Sequence, residues 1–278
     1  MRKTAVLLTV HNRKDLTLQC LKNLFAQEIP EDVAFQVYIT DDGCTDGTPE
    51  AIAEHFPQVH IISGSGSLFW NRGMNAAWDT ALLDANYDSF LWINDDTLLF
   101  PGALRQIFEA DTLKGGQSII VGATVSSSDN TLQTYGGRLD GGAFVPLDGE
   151  LRPVKYFNGN IALIPLTAYH RLGQLDPYFS HSFGDFDYGH RAYKAGISMY
   201  QVGRALATCD AHVRTGDWRN PELPLSRRWH AMFAPNGMPP HEIFHYALRH
   251  EGFFRACRHY CSTIFHCLCP ELYDKLHK

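Results

Sequence analysis

The sequence predicts an α/β protein built on a mostly parallel sheet with flanking helices, and three observations carry that expectation. Over the first hundred positions, short apolar runs alternate with segments of helical periodicity in units of roughly thirty residues, the length of a strand, a crossover helix and the next strand. The apolar runs are nearly continuous rather than alternating, as strands covered by helices on both faces require. Polar clusters at 11–13, 41–46, 64–75 and 94–97 follow the strands and so gather at one edge of the sheet. Open α/β sheets bind their ligands beyond that edge.

The elements follow in order. TAVLLTV (4–10) is the first strand, and Asp15 can cap a helix bearing Leu16, Cys20, Leu21, Leu24 and Phe25 at helical spacing. AFQVYIT (34–40) is the second strand, closed by the turn-rich DDGCTDGT, with Pro49 suited to a helix start. VHII (59–62) is the third; SGSGSLFWNRG is its loop and MNAAWDTALLDA its helix. FLWIN is the fourth.

SIIVGATV (118–125) and NGNIALIP (158–165) read as strands, with a Gly-rich hairpin or loops lying over the site between them. SMYQV and ALATC read as two more strands. From about residue 218 the alternation gives way to Pro-rich connections, and the stretch from His241 to Leu268 reads as one or two helices. The expected division is a nucleotide-sheet domain over 1–217 and a helical extension over 218–278.

Composition narrows the function. A formal net charge of −6 gives no basic field for nucleic acid, although 14 histidines leave the charge sensitive to mild acid. No apolar run approaches a membrane span, and Met1-Arg2-Lys3 leads straight into a strand, so the expected location is the cytoplasm. Seven cysteines, an odd number, argue against a disulfide framework. Cys257, Cys261, Cys267 and Cys269 lie near His259 and His266 without a zinc-ligand spacing and read as thiols of an amphipathic tail. Phe253, Phe254, Ile264 and Phe265 among Arg255 and Arg258 leave two readings open: contact with the inner face of a membrane, or packing on the main domain or a second copy in a homodimer.

The chemistry concentrates at the strand ends. In FLWINDDTLLF (90–100) two adjacent carboxylates sit at the mouth of a core strand, where they repel and lose hydration unless a cation neutralises them. One reading is a divalent ion, Mg²⁺ or Mn²⁺, on one carboxylate while its neighbour bonds a ligand hydroxyl. The other is helix capping by Asp96 or Thr97. Asp41, directly after the second strand, can accept from a base imide or a ribose hydroxyl, whereas Asp42-Gly43 and Asp46-Gly47 read as turns.

SGSGSLFWNRG offers free amides for an anion, but Phe69 stands at the third glycine position of a dinucleotide fingerprint and lowers that reading. Arg72 is a candidate diphosphate partner or an ordinary surface arginine; Phe69 and Trp70 are core aromatics or a platform for a sugar face. In FGDFDYGH, Asp187 reads as a helix N-terminal acid and Asp185 as a candidate general base. His212 can complete a metal shell or serve structure.

Together these residues resemble the family-2 glycosyltransferases, nucleotide-sugar enzymes with the GT-A fold. VLLTVHNRKDLTLQCLKNLFAQ, VYITDDGCTDGT, FLWINDDTLLFPGAL and LGQLDPYFSHSFGDFDYGHRAYKAG are similar to four family segments, in the family's order over residues 4 to 210. SGSGSLFWNRGMNAAW resembles, more loosely, bacterial rhamnosyltransferase-like members.

The resemblance implies a metal-dependent, inverting transfer from a nucleoside-diphosphate sugar to a hydroxyl of a glycan or lipid-linked acceptor. It implies a metal on Asp96, Asn94 and Asp95 near the ribose, and Asp41 at the base. Thr9, His11, Asn12 and Arg13 would form the nucleotide wall, and Asp185 would be the base. Two positions depart from the family: Gly184 stands where a Glu commonly precedes the base, and Cys209 where many members place a metal-binding His, with His212 three residues on. A sugar nucleotidyltransferase and a catalytically silent carbohydrate-binding relative are the alternatives.

Overall fold

Strand β1 (Arg2–Val10) is buried from Thr4 onward, and its side chains alternate between two separate cores. Val6, Leu8 and Val10 face one; Ala5 and Leu7 face the other. The structure, a computed structural model, describes residues 1–211, 216–234 and 237–276. Beyond β1 the chain forms β2 (Val33–Asp41), β3 (His60–Ser63), β4 (Ser89–Ile93), β5 (Leu98–Leu99), β6 (Ile119–Val125), β7 (Gln133–Tyr135), β8 (Gly137–Arg138), β9 (Arg152–Pro153), β10 (Tyr156–Phe157), β11 (Ile161–Pro165) and β12 (Met199–Thr208). The helices are α1 (Lys14–Phe25), α2 (Thr48–His55), α3 (Phe69–Asp84), α4 (Ala103–Leu113), α5 (Leu166–Leu172), α6 (Gly184–Lys194), α7 (Leu225–Phe233), α8 (Pro240–His250), α9 (Phe253–Leu268) and α10 (Pro270–Leu276).

The central sheet runs β3-β2-β1-β4-β11-β6-β12-β5. Its first four strands are parallel, with Val10 level with Asp41 and Asp41 level with Ser63. The loops after β1, β2, β3 and β4 therefore share one edge, as the polar clusters require. β11 enters antiparallel between β4 and β6, which brings the Asn158–Asn160 loop to that same edge. One core packs Leu21, Leu24 and Phe108 from α1 and α4 against the sheet; the other packs Trp78, Trp92 and Tyr188 beneath α3 and α6. Full burial of a side chain such as Leu21 stabilises by about 1.5–3 kcal/mol.

Three local expectations change. α3 begins at Phe69, so Arg72 lies on a helix rather than in the preceding loop. SMYQV and ALATC are one strand, β12, whose register shifts between Gln201 and Ala205. Gly203 lies within this shift, and its lack of a Cβ admits the Gly149–Glu150 backbone, which a Cβ there would strike. The stretch from His241 to Leu268 forms two helices, α8 and α9, as expected, with Gly252, at φ 95°, turning one into the other; the change is that α7 forms within the Pro-rich connection and α10 follows α9. Among the described residues no helix is long and apolar enough to cross a membrane.

Candidate active site

The two carboxylates after β4 have a cation of the chain's own. Arg13, at the start of α1, sends its guanidinium across the sheet edge. Its Nη1 lies 2.7 Å from Asp96 Oδ2 and its Nε 3.2 Å from Asp95 Oδ2. Burial alone would lower the guanidinium pKa, but the charges of Asp95 and Asp96 outweigh it and hold the group above its ordinary value. The side chains of Asp95 and Asp96 are 3% and 10% exposed, that of Arg13 36%. Asn94 is fixed from the other side, its Oδ1 accepting from Trp70 Nε1 at 2.8 Å.

Cys209, at the end of β12, closes the acid pair from below, with its thiol 3.4 Å from Asp96 Oδ1. Burial, and then the charge of Asp96, push this thiol well above its usual range, so in this arrangement it is a neutral donor. The groups able to hold a metal here are thus carboxylate oxygens, the donors that magnesium and manganese prefer. The residues fit a hard divalent ion completed by diphosphate oxygens. No cluster of three or more His, Cys, Asp or Glu groups able to cage a metal without such oxygens occurs among the described residues.

At the end of β2 the neighbouring acids divide the work in an unexpected way. Asp41 makes the turn, its Oδ1 accepting from the Cys44 amide at 2.8 Å. Asp42 is buried and turned inward. Its carboxylate accepts from the amides of Gly66 and Phe69, both at 2.8 Å, and its carbonyl from His11 Nδ1 at 2.7 Å. One residue, through its carboxylate and its carbonyl, thereby ties the loop after β3 to the loop after β1.

Asp185 stands in the first turn of α6, beside the exposed amides that favour an anion there. Its Oδ2 accepts from the Gly159 amide at 2.9 Å and its Oδ1 from the Phe186 amide at 2.8 Å. Burial nevertheless dominates and raises the carboxyl pKa to about 6. Two glycines make this possible. A Cβ on Gly159 would come within 2.8 Å of the Trp70 ring, and a Cβ on Gly184 would land on the Asn71 carboxamide oxygen. Gly184 is therefore required by Asn71, whose Nδ2 ties α3 to the carbonyls of Asp176 and Phe179.

A cavity of about 800 Å³ joins these groups. Its lining includes Thr9, His11, Arg13, Asp42, Asn94 and Asp95 at one end and Trp70, Asn158, Gly159, Phe183, Asp185 and Phe186 at the other. Asn12, Phe69 and Phe183, non-glycine residues with positive φ of 52°, 55° and 70°, all lie at its rim or beside a rim residue. Such backbone costs about 1–3 kcal/mol each and persists where the surroundings over-determine it.

The glycosyl transferase family 2 sequence profile matches residues 5–171, more than half of the chain. The chain belongs to glycosyl transferase family 2. Two relatives of this transferase, from Mycobacterium tuberculosis strains CDC 1551 / Oshkosh and ATCC 25618 / H37Rv, both bear the name N-acetylglucosaminyl-diphospho-decaprenol L-rhamnosyltransferase. Each is 23% identical over 250 residues, covering 79% of this chain and 77% of its own. Among solved structures, the mannosyltransferase PcManGT from Pyrobaculum calidifontis, in complex with GDP-Man and Mn²⁺, matches with a TM-score of 0.56 at 18% identity, over 94% of this chain and 73% of that one. S. aureus TarS 1–349, in complex with UDP-GlcNAc, matches with a TM-score of 0.56 at 12% identity, over 96% and 72%. At such identities the likeness carries the fold, which is GT-A as the motifs implied.

Several sequence-selected residues of the transferase meet at the cavity: Thr9, His11, Arg13, Asn94, Asp95 and Asp185 line it, and Asp96 touches it through Arg13. Others are engaged elsewhere. Arg72 donates through Nε to the Pro177 carbonyl at 3.0 Å, and Asn12 accepts from the Thr45 amide at 2.7 Å. Asp41 is in its turn, and His212 lies outside the described residues.

Sequence reasoning missed Asp42, which it assigned to a turn, and the Asn158–Asn160 loop, which it counted as strand. Asp187 is a helix N-terminal acid, as expected, in the first turn of α6, but its charge is spent inward. It is fully buried and binds Arg191 Nε at 2.8 Å, Arg249 Nη1 at 2.7 Å and His250 Nε2 at 2.8 Å. The Asn-Gly-Asn sequence was the available signal for the loop; nothing local announces the partners of Asp187.

Proposed function

We propose that the transferase moves a sugar from a nucleoside-diphosphate sugar to a hydroxyl of a glycan or lipid-linked acceptor by a single displacement that inverts the anomeric centre. The observation that carries this reading is Asp185. It is a buried carboxylate on the wall of the cavity that Asp95 also lines, oriented by two amides, with a pKa of about 6 that leaves it ionised yet basic near neutrality. Asp185 takes the proton of the acceptor hydroxyl while that oxygen bonds the anomeric carbon. The bond from that carbon to the diphosphate oxygen breaks, and the diphosphate leaves with the electron pair.

Thr9, His11, Arg13, Asp42, Asn94 and Asp95 form the nucleotide end of the cavity in this reading. Asp96 would hold Mg²⁺ or Mn²⁺, which supplies charge neutralisation on the diphosphate when bound. Arg13 supplies a second cation there and Trp70 keeps Asn94 oriented. The Mn²⁺ and GDP-Man of the mannosyltransferase structure support a divalent ion and a nucleotide-sugar donor. The name of the mycobacterial relatives supports a lipid-diphosphate-linked acceptor and makes a rhamnosyl donor the first to assay. Membership of the family sets aside the nucleotidyltransferase alternative.

Asp185→Asn tests the mechanism. With transfer followed as nucleoside diphosphate released, turnover should fall by about 10²–10⁴-fold, the usual share of a general base, while donor affinity stays within a few-fold. A variant with near-normal turnover would remove Asp185 from the reaction.

A further inference from the structure

We infer that Arg13 is a built-in counter-cation which a divalent ion and a nucleoside diphosphate displace together, so that each ligand strengthens binding of the other. The inference rests on the donor-binding reading above and adds to it the order of events at Asp95 and Asp96.

Arg13 Nη1 lies 2.7 Å from Asp96 Oδ2, a full charge-assisted hydrogen bond on the carboxylate that the donor-binding reading gives to the metal. A metal arriving alone at Asp96 meets a like charge at contact range and displaces an ion pair without giving Arg13 a new partner. A diphosphate arriving alone is drawn to Arg13 and repelled by the two carboxylates. With both present, Asp96 would hold the metal and Arg13 would turn to the phosphate oxygens, a planar fork being suited to either anion. The surroundings allow that movement. Arg13 lines the cavity and is 36% exposed, whereas Asp95 at 3% and Asp96 at 10% are fixed.

Coupling between two ligands of one site is reciprocal and typically amounts to about 5–150-fold. Three titrations by calorimetry measure it in the full-length chain: Mn²⁺ alone, UDP or GDP alone, and Mn²⁺ in the presence of the nucleotide. Wild type should bind Mn²⁺ alone weakly and at least fivefold more tightly with nucleotide. Arg13→Gln should bind Mn²⁺ alone several-fold more tightly than wild type, bind nucleotide alone more weakly, and lose most of the coupling. Arg13→Lys, which keeps a charge, should keep part of it. Circular dichroism and thermal melting verify that each variant is folded, and a variant that fails to fold leaves Arg13→Lys as the deciding protein. Unchanged or weaker Mn²⁺ affinity in folded Arg13→Gln overturns the proposal while leaving the donor reading intact. Absence of Mn²⁺ and nucleotide binding in wild type under every combination overturns both.

Discussion

Two acid–arginine clusters sit on either side of the cavity, and they are built for opposite purposes. At the donor end, Asp95 and Asp96 share the half-exposed Arg13. On the far side of Asp185, the fully buried Asp187 receives Arg191, Arg249 and His250, and Arg249 Nη2 also holds Asp176 at 2.6 Å. The first cluster opens to the cavity, which Arg13 and Asp95 line. The second has its donors in excess and is closed. Burial would raise the Asp187 pKa, but His250, Arg191 and Arg249 reverse this and hold it at about 2. An acid pair on a cavity wall is placed to meet a ligand; an acid with three donors fixes a helix, here the one that carries Asp185 two residues earlier.

The closed cluster also redefines the C-terminal extension. Arg249, His250, His245 and Glu242 all come from α8. Glu242 Oε1 accepts from the Ser180 amide at 3.0 Å and from its hydroxyl at 2.6 Å, and His245 Nε2 lies 3.0 Å from Asp176. The 176–183 segment that brings Phe183 to the cavity is therefore held by the extension. A boundary near residue 217 divides the secondary-structure pattern, while the contacts of α8 unite its two sides.

The comparison is broken most forcefully at Asp187. Asp187→Ala leaves two arginines and a histidine without their shared partner and should destabilise the fold by about 3–5 kcal/mol in urea titration. Asp95→Asn should change the same measurement far less, since Arg13 retains Asp96. Equal losses would erase the distinction between the clusters.

Next in size is the response to pH. Asp185, raised to about 6, protonates as pH falls through that value, so kcat/KM should drop about tenfold per unit below pH 6. Asp187 contributes stability that is present above its unfolded value of 3.8 and lost as pH falls toward 2. Activity should therefore vanish well before the fold does. Coincident loss of both, followed by circular dichroism and initial rates, would tie the base to unfolding instead.

The smallest effect belongs to the outer face of α9, where Phe253 and Phe254 are 59% and 88% exposed beside Arg255 and Arg258. Residues 218–278 carry eight Lys and Arg against five Asp and Glu in a chain of net charge −6. Phe254→Ser should leave transfer to a water-soluble acceptor unchanged while lowering flotation with anionic liposomes by a few-fold. Equal flotation of both proteins would leave this face to protein contacts.

Much of the donor half was legible because its signals are local. Continuous apolar runs mark β1, β2 and β4, and the acids after them can only lie at the sheet edge. Asp185 was legible for the same reason, as an acid in a helix's first turn. Which of Asp41 and Asp42 turns inward was not legible, because composition does not distinguish two adjacent acids. That is decided by the amides of Gly66 and Phe69 arriving from another loop. Gly184, a departure from the family pattern in sequence, is explained once Asn71 is seen against it.

The sequence by itself determined the parallel half of the sheet, the edge where chemistry gathers, and the requirement for a cation beside Asp95 and Asp96. Those follow from periodicity, burial and charge over short stretches. Tertiary structure alone decided that Arg13, 83 positions from Asp96, supplies a cation there, and that α8 steadies the helix of Asp185 through Arg249, 62 positions from Asp187. Electrostatic pairing depends on distance in space, and no local pattern encodes which distant charges the fold will bring within 3 Å.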